Sequence, residues 1–172
     1  MRQPEQLGLG HAVLCAERAV GKEPFAVLLA DDFITDCTKN VTASLVEAFS
    51  KSGKSQLSIM KVDGPEISKY GVIVKSETEG NISGIVEKPT YQDAPSNLAS
   101  IGRYVLTPDI FDILVKLAKG SGNEIQLVDA INSQAQKGAV DTVLLDGTRF
   151  DCGSIDGFIS AINHEYKKKG NK

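Results

Sequence analysis

The sequence predicts an α/β fold with a mostly parallel sheet and a small antiparallel insertion. Three observations carry that reading. Short apolar runs alternate along the chain with segments of helical period. The run Phe25-Ala26-Val27-Leu28-Leu29-Ala30 is continuous and stops at Asp31-Asp32, the pattern of a strand buried on both faces of a parallel sheet. Residues 70–74 and 81–88 are two short apolar stretches facing each other across Glu79-Gly80-Asn81, which reads as a hairpin.

The elements follow in order. Residues 1–10 are polar and punctuated by glycine, and residues 11–20 carry Ala12, Val13, Ala16 and Val20 at near-helical spacing. A glycine loop opening a helix can bring backbone N–H groups close to a ligand. After the apolar run comes a polar connection at 35–40, then a helix with the stripe Val41, Leu45, Val46 and Phe49, ended by Ser52-Gly53. Residues 57–62 alternate partly and predict a strand, broken by Asp63-Gly64-Pro65. Residues 97–106 predict another. Thr107 is placed to cap the next helix, with Pro108 in its first turn and Asp109 suited to its dipole. Ile110, Phe111, Leu114, Leu117 and Ala118 form its apolar face. A helix over 124–136, a strand over 139–145, an extended turn at 149–153 and a last helix over 156–168 complete the chain. In that last helix Phe158, Ile162 and Tyr166 share a face.

Composition narrows the function. The 172 residues suffice for one domain spanning 1–172. The net charge of -3 argues against a general nucleic-acid binder. No apolar run reaches the ~18 residues of a membrane span. Cys15, Cys37 and Cys152 are odd in number and lack metal-ligand spacing, which suits reduced thiols in the cytoplasm. The two histidines, His11 and His164, leave little room for a Ser-His-Asp triad.

The candidate chemistry is acidic and phosphate-directed. Ligands of open α/β sheets bind beyond the carboxyl ends of strands, which is where Asp31 stands. Glu87-Lys88-Pro89 also ends a strand: its carboxylate can accept from vicinal hydroxyls, and its ammonium offers a compact charge to a phosphate. Asp31 and Asp151 can share a magnesium ion if the fold brings them together, since magnesium takes one or two carboxylates plus phosphates and water.

Taken jointly, residues 7–12, 25–31, 70–71, 87–89, 102–104, 124–131 and 150–153 resemble bacterial UTP–glucose-1-phosphate uridylyltransferases, in that family's order and over nearly the whole chain. The resemblance implies a Rossmann-like nucleotidyltransferase fold. It implies Gln3 and Gly8 at the uracil, Gly71 and Glu87 at the glucose hydroxyls, and Lys88 on the sugar phosphate. It implies Asp31 as a magnesium ligand, Asp151 as a second one, and residues 124–131 as support for the sugar site. Lys88 and Asp31 would be the catalytic pair. The implied substrates are UTP and glucose 1-phosphate, the product UDP-glucose, and the assembly a homo-oligomer. The family begins with a strand and a basic glycine-rich loop that nothing here resembles. The chain is therefore expected to be N-terminally incomplete, with an apolar sheet edge left open. A thymidylyltransferase and a non-catalytic binding module are the alternatives.

Overall fold

The computed structural model describes residues 2–77, 81–118 and 120–170. The chain runs α1 (Gly8–Leu14), α2 (Glu17–Val20), β1 (Phe25–Leu28), β2 (Asp32–Thr35), α3 (Val41–Ser52), β3 (Ser55–Lys61), β4 (Gly71–Lys75), β5 (Ile82–Glu87), β6 (Leu98–Leu106), α4 (Asp109–Lys116), α5 (Leu127–Ala135), β7 (Val140–Leu144), β8 (Thr148–Asp151) and α6 (Ile155–Gly170). The α/β class is as predicted. The pairing is mixed rather than mostly parallel: β3 and β7 run parallel, while β1–β6, β3–β6, β4–β5, β4–β6 and β2–β8 are antiparallel. Alternation of helix and strand along a sequence does not say which strands become neighbours. Here β6 lies between β3 on one side and β4 and β1 on the other, antiparallel to all three.

That arrangement makes the site. β3 follows β6 along one edge, from Leu98 to Val105. The other edge is shared: β4 meets it at Ala99, and β1 pairs with Arg103 to Leu106. Between them Ser100 to Gly102 face a turn of chain instead of a strand, and a pocket opens there.

The run at 25–30 is not buried on both faces. Its strand stops at Leu28 and alternates, with Phe25 and Val27 turned inward and Ala26 and Leu28 outward. Phe25 stacks on Phe111 at 4.9 Å, whereas Leu28 is 54% exposed. Among the described residues β6 is the one strand β1 pairs with. The strand buried on both faces is the first part of β3, Ser55 to Ile59. Its serines and glutamine disguise it in the sequence. Ser55 Oγ donates to Gln134 Oε1 at 2.9 Å, and Gln134 Nε2 donates to Thr107 Oγ1 at 2.8 Å and to Asp109. Thr107 thus serves this buried network. It makes no side-chain cap on α4, where Pro108 stands at the cap position.

α3 ends as predicted, Gly53 closing it in the left-handed region, and its start is capped by Asn40, whose Oδ1 accepts from the Thr42 and Ala43 amides. Val41 and Leu45 are buried, but Val46 points outward. β4 and β5 pair as the insertion requires; most of the expected turn at 79–81 lies outside the described residues. Residues 124–126 are extended, and α5 starts at Leu127. α5 is fixed over β5 by Asn132, whose amide accepts from Ile85 N–H at 2.7 Å and donates to Ile85 O at 3.0 Å, as a neighbouring strand would. Residues 149–151 belong to β8, which forms a two-stranded sheet with β2, a strand not predicted from the sequence. Phe158, Ile162 and Tyr166 do share a face of α6, but it is exposed; Ala161 is the buried residue of that helix. The core proper gathers Leu57, Ile73, Leu106, Ile110, Leu114, Ile131 and Val140 under α4 and α5.

Candidate active site

The pocket at the split edge of β6 has a volume of about 250 Å³, and Asp31, Asp151, Gly71 and Glu87 all line it. Three separate stretches of chain therefore converge as predicted: the turn after β1, the end of β8, and the β4–β5 pair. The turn is held tightly. Leu29 N–H donates to Gly102 O at 2.9 Å, and Gly102 N–H donates to Asp32 Oδ2 at 2.5 Å. A side chain at position 102 would meet Asp32 Oδ2 and Leu29 Cβ at 2.6 Å, so only glycine permits this approach. Arg103 adds bonds to Leu29 O at 2.9 Å and Asp32 O at 2.5 Å.

Asp31 and Asp151 are close enough to act together. A Cβ on Gly153 would lie 3.1 Å from Asp151 Oδ1 and 3.2 Å from Asp31 Oδ2. The two carboxylates thus flank a gap that glycine leaves open, and Cys152 N–H ties the strands by donating to Asp31 O at 2.8 Å. Two exposed carboxylates beside an open pocket suit a hard divalent cation that keeps its other positions for phosphate and water. Among the described residues one group offers three candidate ligands, Asp36, His164 and Glu165. It stands apart from this pocket, and the Lys168 ammonium already lies 2.5 Å from Asp36.

At the other end of the pocket, Gly71 faces Glu87 across the β4–β5 ladder. A Cβ there would meet Glu87 Oε2 at 3.0 Å, so the glycine gives the carboxylate its place. Lys88 is 66% exposed, 3.9 Å from Glu87, and is not part of the pocket wall. Its backbone is unusual: φ is +45°, and its amide donates to Tyr70 O at 3.0 Å. Strain of this kind at a non-glycine residue is typical of positions kept for function. Gln126, Leu127, Val128 and Ile131 form another wall.

Gln3 and Gly8 come together, Gln3 Nε2 donating to Gly8 O at 3.1 Å, but neither lines the pocket; their neighbour Leu9 does. The glycine loop also serves packing: Gly10 is buried and its amide donates to Ile125 O. His11 Nδ1 faces the Gln3 amide at 3.1 Å.

Sequence reasoning missed Asp32, Arg149, Tyr70 and Tyr104, all on the pocket wall. Asp32 is 3% exposed and ion-paired to Arg149, whose Nε donates to it at 2.5 Å. The Arg149 guanidinium also lies over the Tyr70 ring. Burial pushes the Tyr104 phenol up to about 12, so it is a neutral donor at ordinary pH. The signal available was a charged residue inside an otherwise apolar or strand-like stretch, which each of the two ionised residues is.

A mixed sheet with several carboxylates gathered around one pocket defines the frame of this α/β protein. The chain belongs to the nucleotidyl transferase family, whose model matches residues 1–168. It is 45% identical over 170 residues to a UTP–glucose-1-phosphate uridylyltransferase of Pseudomonas aeruginosa, covering 96% of this chain and 61% of that one. It is 42% identical to the uridylyltransferase YngB of Bacillus subtilis, covering 94% and 55%. A UDP-glucose pyrophosphorylase complexed with UDP-glucose superposes with a TM-score of 0.90 at 45% identity, over 98% of this chain and 65% of that one. A UTP-bound UGPase from Acinetobacter baumannii gives 0.84 at 36%, over 96% and 58%. The chain spans about three fifths of the length of these relatives.

Proposed function

We propose that this chain carries the sugar-phosphate and cation-binding part of a UTP–glucose-1-phosphate uridylyltransferase. The convergence of Asp31, Asp151, Gly71 and Glu87 on one pocket carries this reading. In the reaction a phosphate oxygen of glucose 1-phosphate attacks the α-phosphorus of UTP, the bond to the β-phosphate oxygen breaks, and pyrophosphate leaves. The nucleophile is already anionic, so no side chain need remove a proton. The protein's task is to align two polyanions and offset their charge.

In this proposal Glu87 accepts from glucose hydroxyls, with Gly71 leaving the sugar room. Lys88 places its ammonium on the sugar phosphate. Asp31 and Asp151 hold magnesium, which when bound neutralises charge developing on the phosphates. Gln3 and Gly8 meet the uracil. The small pocket, below the roughly 300–1,000 Å³ of typical ligand sites, suits a sugar phosphate more than a whole nucleotide sugar. Residues 1–172 form one unit in this reading, acting in the cytoplasm, which the three free thiols support. Self-association belongs to the same reading, supported by the exposed apolar face of α6.

Calorimetry with UDP-glucose and magnesium, run beside an assay of UDP-glucose synthesis, tests the proposal. Binding that needs Asp31 is the expected result, with turnover far below that of the longer relatives. Equal turnover of dTTP and UTP would move the chain to the thymidylyltransferases, and absence of binding would refute the proposal.

A further inference from the structure

Arg149 stands where the two ends of the pocket meet. Its Nε donates to Asp32 Oδ1 at 2.5 Å, and its second terminal nitrogen is ion-paired with the same oxygen and lies 3.7 Å from Asp151 Oδ2. Its other terminal nitrogen donates to Tyr70 Oη at 3.2 Å, and the guanidinium carbon sits 5.3 Å from the Tyr70 ring centre. Asp32 adjoins Asp31 in the turn. Tyr70 precedes Gly71, and its carbonyl accepts from the Lys88 amide. One planar cation therefore touches the cation end through Asp32 and Asp151, and the sugar end through Tyr70.

The arginine is well placed for such a task. Its side chain is 11% exposed and that of Asp32 is 4% exposed, so both are fixed. The guanidinium cannot lose its proton at any working pH, and its fork holds partners in two directions at once. A lysine would supply the charge without the plane. Asp151 also has the guanidinium charge nearby, at 3.7 Å, which offsets the repulsion between two neighbouring carboxylates.

We propose that Arg149 is a positioning residue that sets the separation of Asp31 and Asp151 and couples it to Lys88 through Tyr70. The proposal rests on the reading of Asp31 and Asp151 as cation ligands. It requires that a change at Arg149 alter cation binding although Arg149 itself, a cation, can bind none.

The test uses manganese as a spectroscopic stand-in for magnesium. Free Mn²⁺ is titrated by electron paramagnetic resonance against the full chain, against Arg149→Lys, against the charge-neutral double variant Arg149→Met with Asp32→Asn, and against Asp31→Asn. Thermal unfolding verifies that each is folded, and the double variant leaves no charge unpaired at this position should the lysine variant unfold. The expected result is a loss of at least about fivefold in Mn²⁺ affinity for both arginine variants and of nearly all binding for Asp31→Asn. In the unsubstituted chain, magnesium should also shift the amide resonance of Lys88, and this shift should vanish in the arginine variants. Arginine variants that keep full Mn²⁺ affinity and the Lys88 shift, while Asp31→Asn loses the ion, overturn the positioning role and leave the cation site standing. Mn²⁺ that binds Asp31→Asn as well as the unsubstituted chain, or binds neither, overturns the cation site and the positioning role with it.

Discussion

The two ends of the pocket are built in opposite ways. At the acidic end, the turn carrying Asp31 is braced by two arginines and a glycine amide, and Asp32 is 3% exposed. At the other end, proposed to take the sugar, the side chains of Glu87 and Lys88 are 53% and 66% exposed and stand 3.9 Å apart, and what is constrained is the backbone of Lys88. The difference follows from what each end must do. Two carboxylates repel and would drift apart without a scaffold. A lysine and a glutamate that meet a hydroxylated phosphate can be ordered by that ligand, at some cost in side-chain entropy.

Substitutions at the two ends should therefore fail differently. The largest effect is expected for Arg149→Met, which strands the Asp32 carboxylate: breaking one side of a buried ion pair costs about 3–5 kcal/mol of stability. Denaturant unfolding measures it, and adding Asp32→Asn should restore most of the loss. A cost under 1 kcal/mol would show that the brace is not structural.

At the other end, Lys88→Ala should weaken binding of the sugar phosphate by about 1.5–3 kcal/mol, the range for hydrogen bonds to charged groups, with stability nearly unchanged. Lys88→Gly sharpens the contrast. It should lose the same affinity yet unfold at a higher denaturant concentration, because glycine relieves a positive φ worth about 1 kcal/mol. A glycine variant that binds as the unsubstituted chain does would remove Lys88 from the site.

The smallest effect concerns Tyr104, on the wall between the two ends. Its phenol is raised to about 12 by burial. The unfolded chain releases this proton near pH 10 and the folded one later, so stability is complete below about pH 10 and falls as pH rises toward 12. Tyr104→Phe should flatten that alkaline slope, read as unfolding midpoints compared at about pH 9 and about pH 11.

What the residues disclose in advance is uneven for related reasons. Asp31, Glu87 and Asp151 were legible because each ends an apolar or extended stretch, and strand ends are where α/β folds place chemistry. β1 was misjudged: an apolar run does not distinguish a strand buried on both faces from one packed on a single face, and Leu28 is exposed. β3 was undervalued because Ser55, Gln56 and Ser58 look like surface residues, although all three are buried, Ser55 within a polar network. β2 and β8 escaped notice because their pairing joins residues more than a hundred positions apart, and Asp32 and Arg149 gain their meaning only from that pairing.

The central claim of the proposal is that Asp31, on the pocket wall, and Lys88, outside it beside Glu87, serve one ligand. Paramagnetic broadening of UDP-glucose by Mn²⁺ tests it directly, read at the β-phosphorus and the glucose C1 proton in the presence of the full chain. Broadening beyond that of Mn²⁺ and UDP-glucose alone, abolished by Asp31→Asn and reduced in step with affinity by Lys88→Ala, is the predicted result. UDP-glucose that binds through Lys88 yet shows no broadening dependent on Asp31 would contradict the account.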